Sequence, residues 1–337
     1  MPCAFMRHPG WLRAADSTKP PPPAGRSCAG DRVRRGCRWP SSHVGNGVRQ
    51  EMSSDRIRLS VGEAREHAER AMRGIGYDQE EARIVADHAI DAALCGYEYS
   101  GLAKLLNIPE HRRFKQPRRP ISVLRETELS VVYDGGNNVG MLAMYHATRA
   151  AIAKTEARSI AIVGVTNSWM SGRSAYYVEM IANAGLVGIH TAGSAPSVAP
   201  PGGMRAVLGT NPIAFGLPSS RGALVFDMGT SAFMGTDLVY RERLGVLLPE
   251  GVAINDAGHP TRDPAEARRG ALLSFGGYKG FGLALIVQAL GLLASGGLGP
   301  ESDDGYLFIV FKPELLVEPG AFEQQISELI GRVKATP

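Results

Sequence analysis

Residues 56–334 are predicted to form a layered α/β body preceded by a small helical subdomain, on three observations. Residues 56–112 carry apolar residues at helical spacing between clear capping signals. From residue 129 onward, strand-like apolar runs alternate with helical ones, the pattern of a sheet covered by helices. A glycine cluster, "LSFGGYKGFGLAL" at 273–285, opens a long apolar segment without following a strand directly.

The elements follow in order. In "LSVGEAREHAERAMRGIGY", Ser60 stands as N-cap with Glu63 three residues on, a capping-box signature. Asp78 is placed to cap a second helix, in which Ala82, Val85, Ala89, Ile90 and Ala93 recur at helical spacing. A short helical stretch, "LAKLLNIPEHRR", comes after "GYEYSG", with Ser100 or Glu98 as its expected cap. "ELSVVYDGGNNVG" reads as a strand ending in a Gly/Asn turn, "MLAMYHATRAAIAKTEA" as a helix, and "SIAIVGVTNS" as a buried strand. "SAYYVEMIANAG" is helical, and "LVGIHTAG", "GTNPIAFGLP" and "GALVFDMGTS" are strands. A turn-rich loop, "PEGVAINDAGHPTRDP", leads to the glycine cluster and its helix. "GYLFIVFKPEL" closes the sheet, and "AFEQQISELIGRVKATP" ends the chain as a helix. The resulting division is 1–51, 56–120 (helical subdomain), 121–245 (cofactor-binding α/β body), 246–300 (helical insertion with the glycine cluster) and 301–337 (last strand and helix).

Composition excludes several classes. The net charge of +4 is concentrated in residues 1–51 by Arg32, Arg34, Arg35, Arg38 and Arg49, and the rest of the chain is slightly acidic, so no nucleic-acid footprint is expected. Three of the four cysteines (Cys3, Cys28, Cys37) lie in the same leading segment, which leaves neither a disulfide framework nor metal-ligand spacing and fits a reducing cytoplasm. The leading segment itself is rich in Pro, Gly, Ser and Arg and has no apolar period, so it is expected to be a disordered leader, with Met52 as the start of the protein proper. The longest apolar run, Phe281–Ala294, is too short to span a bilayer and is interrupted by Gln288; no membrane partner is expected.

Three stretches carry chemistry. "GGYKGFG" invites a dinucleotide reading, but a loop precedes it and no acid follows until Glu301, so a Rossmann site does not fit; it serves equally as a hinge into a core helix. Segment 189–212, "IHTAGSAPSVAPPGGMRAVLGTNP", has small residues that let a ligand approach the backbone. Thr191, Ser194 and Asn211 offer side-chain hydrogen bonds, with Gly193, Pro200 and Thr210 in the same run. A segment of this length is either functional or simply a long surface loop. "GYEYSGLAKL" brings Tyr99, Ser100 and Lys104 together without the frame of a nucleophile elbow.

Taken in order, "CGYEYSGLAKL", "VTNSWMSGRSAYY", "APSVAPPGG", "LGTNPIAFGLP", "FDMGTS", "PEGVAINDAGHPTRDP" and "GGYKGFGLAL" resemble the type-2 malate/L-lactate dehydrogenase family of NAD(P)-dependent oxidoreductases. This family includes malate, lactate, sulfolactate, ureidoglycolate and diketogulonate enzymes and piperideine-2-carboxylate reductases. The resemblance implies a three-layer α/β/α fold with a mixed, non-Rossmann sheet and an N-terminal helical subdomain. It also implies a homodimer, NAD or NADP as cofactor, and a small-molecule carboxylate substrate. Cofactor contacts are implied for the loop matching Thr191–Pro200. The implied reaction interconverts a 2-oxo acid and a 2-hydroxy acid; the alternatives are reduction of a cyclic imino acid, or a member impaired in catalysis.

The departures from the pattern are specific. Family members commonly carry Ser-His-Gly where this chain has Tyr99-Ser100-Gly101, and "NSNHFG" where it has "NSWMSG", so Ser100 and Met170 occupy histidine positions. None of the eight histidines falls on either one. The resemblance also implies a longer linker before the last strand and a further segment after it, so a truncated member is expected. Lys104 takes the place of a family arginine and is the expected carboxylate anchor, binding as a point charge where arginine would offer a fork. Lys279, between glycines, suits the cofactor or an electrophilic role, and Tyr278 or Tyr99 is expected to supply the proton if a nearby lysine lowers its pKa. A cyclic imine relaxes that need, because its nitrogen arrives already protonated.

Overall fold

The computed structural model describes residues 57–299 and 303–336, and the expectations for residues 1–51 lie outside them. Four helices open the chain: α1 (Val61–Gly74), α2 (Gln79–Leu94), α3 (Leu102–Leu105) and α4 (Asn107–Glu110). Both expected N-caps are present as full capping boxes. The Glu63 and Glu81 amides donate to Ser60 and Asp78, and each glutamate reaches back to the cap backbone. The buried face of α2 is formed by Ala82, Ile84, Val85, Ala86, Ala89, Ile90 and Ala92. Ala93 lies outside it, exposed, because the stripe turns through Ala92 at that end. Neither Ser100 nor Glu98 caps α3. A 3₁₀ turn over Glu98–Ser100 leads into Gly101, which has no side chain to offer.

The body is one seven-stranded mixed sheet in the order β1-β2-β3-β9-β4-β5-β6. Its strands are β1 (Ser122–Glu126), β2 (Ser130–Val139), β3 (Ile160–Trp169), β4 (Val187–Gly193), β5 (Ile213–Leu217), β6 (Leu224–Met228) and β9 (Gly305–Phe311). Only β2 and β3 pair in parallel; every other pair is antiparallel. The remaining elements are α5 (Gly140–Arg158), α6 (Ser174–Asn183), α7 (Gly235–Leu244), α8 (Pro264–Arg269), α9 (Tyr278–Leu293) and α10 (Ala321–Lys334). A two-stranded ribbon pairs β7 (Ala253–Ile254) with β8 (Ala271–Leu272).

Alternation along the strands assigns the layers. In β4, Gly188 meets Ile181 of α6 and His190 packs on Tyr177 of α6, whereas Gly193 meets Gly291 of α9. The helices α5 and α6 therefore cover one face and α9 the other, giving the three layers expected. Between the sheet and α5/α6 lies the main core, built from Val131, Met144, Val163, Val165, Tyr177, Ile181, Tyr306, Phe308 and Val310.

Three details differ from the expected course. The Gly/Asn run does not end β2: Gly136 and Asn137 take left-handed backbone, the register slips, and pairing resumes at Asn138–Ser168. Such a bulge is affordable because the Asn137 and Asn138 side chains satisfy the interrupted backbone of residues 113–119 and Gly135. Strand β1 gave no sequence signal because it is an edge strand exposed along its whole length. The last strand in sequence, β9, closes the sheet from its centre, between β3 and β4.

Candidate active site

The cluster around Lys104 is assembled by five separate segments: α2, α3, the β3–α6 link, β6 and α7. Lys104, on α3, is buried and donates from Nζ to Thr236 Oγ1 of α7 at 3.0 Å. Among the described residues no carboxylate pairs with it, and loss of water around the ammonium lowers its pKa from 10.5 to about 8. Ser100, one turn earlier, is also buried.

Arg173 enters from the link between β3 and α6. Met170 and Gly172 take left-handed backbone there, with φ of 59° and 81°. Gly172 is required for a second reason: a Cβ on it would lie 2.2 Å from His88 Nε2. With the ring this close, the Arg173 amide donates to His88 Nε2 at 2.8 Å. The guanidinium pairs with Asp91 of α2 and lies over the Tyr97 ring. His88, fully enclosed in α2, is held neutral well below the usual histidine range by burial and by the nearby charges of Arg173 and Lys104. Because Nε2 accepts, the proton of the neutral ring sits on Nδ1. Asp227, at the end of β6, accepts from the Ala175 amide at 2.8 Å, and its burial raises its pKa.

Three buried polar atoms of this cluster have no partner among the described residues: His88 Nδ1, Arg173 Nε and Ser174 Oγ. Unpaired buried polar atoms are rare, and each calls for a partner that the described residues do not supply, such as a water, an ion or a ligand.

Segment 189–212 is pinned to the opposite layer. Asn211, fully buried with φ of 37°, accepts from the Ser194 amide at 3.1 Å. Its Nδ2 donates to Ala284 O and Gln288 Oε1 of α9, each at 2.9 Å. The Ala195 amide donates to Asp304 Oδ1 at 3.1 Å, and Tyr306 donates to the other oxygen at 2.9 Å. Burial raises the Asp304 pKa to about 6 in spite of these bonds. Thr210 accepts from both the amide and the hydroxyl of Thr230. Gly193 lies against α9, and Pro200 starts a tight turn closed by the Gly203 amide. Thr191 Oγ1 is buried without a partner among the described residues, a free polar atom that fits a cofactor group.

The two groups meet through α7. A Cβ on Gly235, the neighbour of Thr236, would lie 3.9 Å from the Thr210 methyl. The start of α7 thus lies between Lys104, bonded to Thr236, and Thr210 of the 189–212 segment.

Tyr278 and Lys279 lie outside the Lys104 cluster, exposed at the start of α9 behind Gly276 and Gly277. Tyr99 does not carry the lowered pKa expected of a proton donor. Burial, and then the neighbours Tyr97, Asp237 and Asp227, push its phenol well above the usual range, and Lys104 is not among the groups acting on it. Sequence reading passed over His88, Asp91, Arg173, Asp227 and Thr236. The available signal was charge inside apolar runs, Arg173 in "SGRSAYY" and Asp227 in "LVFDMG".

Residues 59–337 match the family described as malate/L-lactate dehydrogenase. The chain belongs to that family. It is 32% identical over 293 residues to the L-sulfolactate dehydrogenase of Methanothermobacter thermautotrophicus, covering 83% of this chain and 86% of that one. It is 32% identical over 241 residues to the Delta(1)-pyrroline-2-carboxylate/Delta(1)-piperideine-2-carboxylate reductase of Pseudomonas aeruginosa, covering 69% and 71%. The structure of malate dehydrogenase from Pyrococcus horikoshii superimposes with a TM-score of 0.72 at 30% identity, covering 85% and 84%. The non-Rossmann α/β/α fold expected for the family is the one observed, and its relatives are oxidoreductases of hydroxy acids and, in one case, of cyclic imino acids.

Proposed function

We propose that this family member interconverts a small 2-oxo acid and its 2-hydroxy acid with NAD or NADP, in the manner of malate- and lactate-type enzymes. One observation carries this reading: a buried, acid-free lysine stands beside the Arg173 cluster and joins the 189–212 segment through Thr236, Gly235 and Thr210. Thr191, Gly193, Ser194, Pro200, Thr210 and Asn211 form or frame the cofactor site, which supplies the hydride when filled. Lys104 and Arg173 provide positive charge for a carboxylate in a site that excludes water, where charge acts more strongly than in solvent. Ser100 lines the substrate side, and Tyr278 and Lys279 are available to the cofactor from the exposed end of α9.

A second reading is favoured by Ser100 and Met170 at the two histidine positions. With neither imidazole present, a cyclic imino acid is a suitable acceptor, because its protonated nitrogen needs no strong acid. Purified protein offered NADH and NADPH with a panel of 2-oxo acids and cyclic imino acids is expected to oxidise one cofactor with at least one substrate. Turnover confined to the imines selects the second reading, and no turnover on the whole panel refutes both.

The homodimer is supported by α9. Tyr278, Gly282, Leu285, Ile286, Ala289 and Leu293 form one exposed, almost uncharged stripe along it. Sedimentation velocity is expected to give a species of twice the chain mass, and a monomer at micromolar concentration would refute it. Among the described residues no helix is long and apolar enough to cross a membrane.

A further inference from the structure

We propose that Lys104 is the proton donor of the reaction and that Arg173, rather than Lys104, holds the substrate carboxylate. This division rests on the oxidoreductase reading above. It follows from how the two cations are partnered. Arg173 is a planar fork with five donors, of which Asp91 takes one and Nε remains unpartnered and buried. Its backbone is locked on both sides, by the His88 bond to its own amide and by Asp227 on the Ala175 amide. A fork fixed in this way and short of a partner suits two-point capture of a carboxylate.

Lys104 has a different environment. Its ammonium has three protons, Thr236 accepts one and fixes the direction of Nζ, and no acid offsets its charge. A buried amine of this kind gives up a proton readily, which the guanidinium of an arginine does not. In reduction, the hydride forms the new C–H bond at C2 and the C=O π pair becomes a lone pair on oxygen. That oxygen takes one proton from Nζ, leaving a neutral amine, the 2-hydroxy acid and the oxidised cofactor. The amine recovers its proton from solvent once product leaves.

The titratable groups toward this end of the surrounding elements include His88 and Asp91 on α2, Tyr97 just before the 3₁₀ turn, Glu98 and Tyr99 within it, and Glu110 on α4. Arg173 precedes α6, Asp227 ends β6, and Asp237 and Tyr240 lie on α7. The buried face of α1 presents only Ala64, Ala68 and Met72. His88 is held neutral, so its charge does not compete.

The test uses Lys104→Arg, Lys104→Met and Arg173→Gln in the full chain, each checked by thermal midpoint. Lys104→Arg keeps the charge and removes the transferable proton. It is expected to lower kcat for reduction by about 10²–10⁴-fold, with KM changed little. Wild-type kcat for reduction is expected to be full below pH 8 and to fall as pH rises through the Lys104 pKa of about 8, with the reverse trend for oxidation; Lys104→Arg loses that inflection. Arg173→Gln is expected to raise KM by about 10–100-fold, the loss of one charge-assisted contact. Calorimetric binding of L-malate with cofactor present gives a second readout: Arg173→Gln weakens it by a similar factor and Lys104→Arg does not. If Arg173→Gln fails to fold, Asp91→Asn/Arg173→Gln replaces it, so that neither charge of that pair is left behind without the other. Retention of turnover and inflection by Lys104→Arg overturns the donor, and unchanged malate binding in the Arg173 variant overturns the anchor. A wild type without turnover overturns the oxidoreductase reading and the donor with it, while malate binding still decides the anchor.

Discussion

Asn211→Leu is expected to lower stability by about 3–5 kcal/mol and to weaken cofactor binding by an order of magnitude or more. The Asn211 amide makes three hydrogen bonds in a fully buried position, and leucine replaces none of them. The Ser194 amide and the Ala284 carbonyl lose this partner, and Gln288 Oε1 is left with the Gly209 amide alone. Leucine must also adopt φ near 37°, a left-handed conformation that asparagine tolerates better. With the Ser194 tether gone, the 193–197 backbone loses its fixed position against α9, and any ligand held there loses preorganisation. The thermal midpoint is expected to fall on the order of 10 °C. Fluorescence titration with reduced cofactor reads the binding loss. A midpoint within two degrees of the parent, about the effect of a neutral surface change, would sink the assignment of Asn211 as the clamp.

Gly305→Val should have a comparable effect for a purely steric reason. Helix α9 lies on the sheet by backbone contact: a Cβ on Gly305 would stand 2.0 Å from the Gly291 carbonyl oxygen, and Gly193 and Gly296 meet the same helix and strand. Backbone cannot give way as a flexible side chain does, so α9 must lift from β4 and β9, at a cost of about 3 kcal/mol or more. Low soluble yield or a midpoint on the order of 10 °C lower is the expected outcome. Gly331→Ala, within α10 and with open space around it, serves as control and is expected to be neutral or to stabilise by up to about 1 kcal/mol. Equal melting of the two variants would show that the close approach is not what seats α9.

Much of the fold could be read locally. The capping box at Ser60/Glu63 and the cap at Asp78 followed from the sequence, because a cap needs only residues close along the chain; that Glu81 completes a second box was seen only in the structure. Strands β3, β4 and β9 were evident from continuous apolar runs, since all three are central. The edge strand β1 had no buried side to leave a pattern, and the 235–244 helix α7 buries only Leu238, so its sequence shows no stripe.

The site divides in the same way. Ser100, Lys104 and the 189–212 segment could be singled out as candidates because their motifs are contiguous, and the glycine cluster failed the Rossmann test for a reason the sheet bears out: α9 follows a loop and the β7/β8 ribbon. What tertiary structure alone decided was partnership. Thr236 lies 132 residues from Lys104, Arg173 lies 82 from Asp91, and Asn211 reaches 77 residues to Gln288. Burial then set the chemistry, lowering the Lys104 pKa and raising that of Tyr99, opposite to the role first expected for the tyrosine. Sequence determines which groups can ionise and which segments carry them. The cost of charge without water, which depends on what the fold stacks around each group, determines which of them can work.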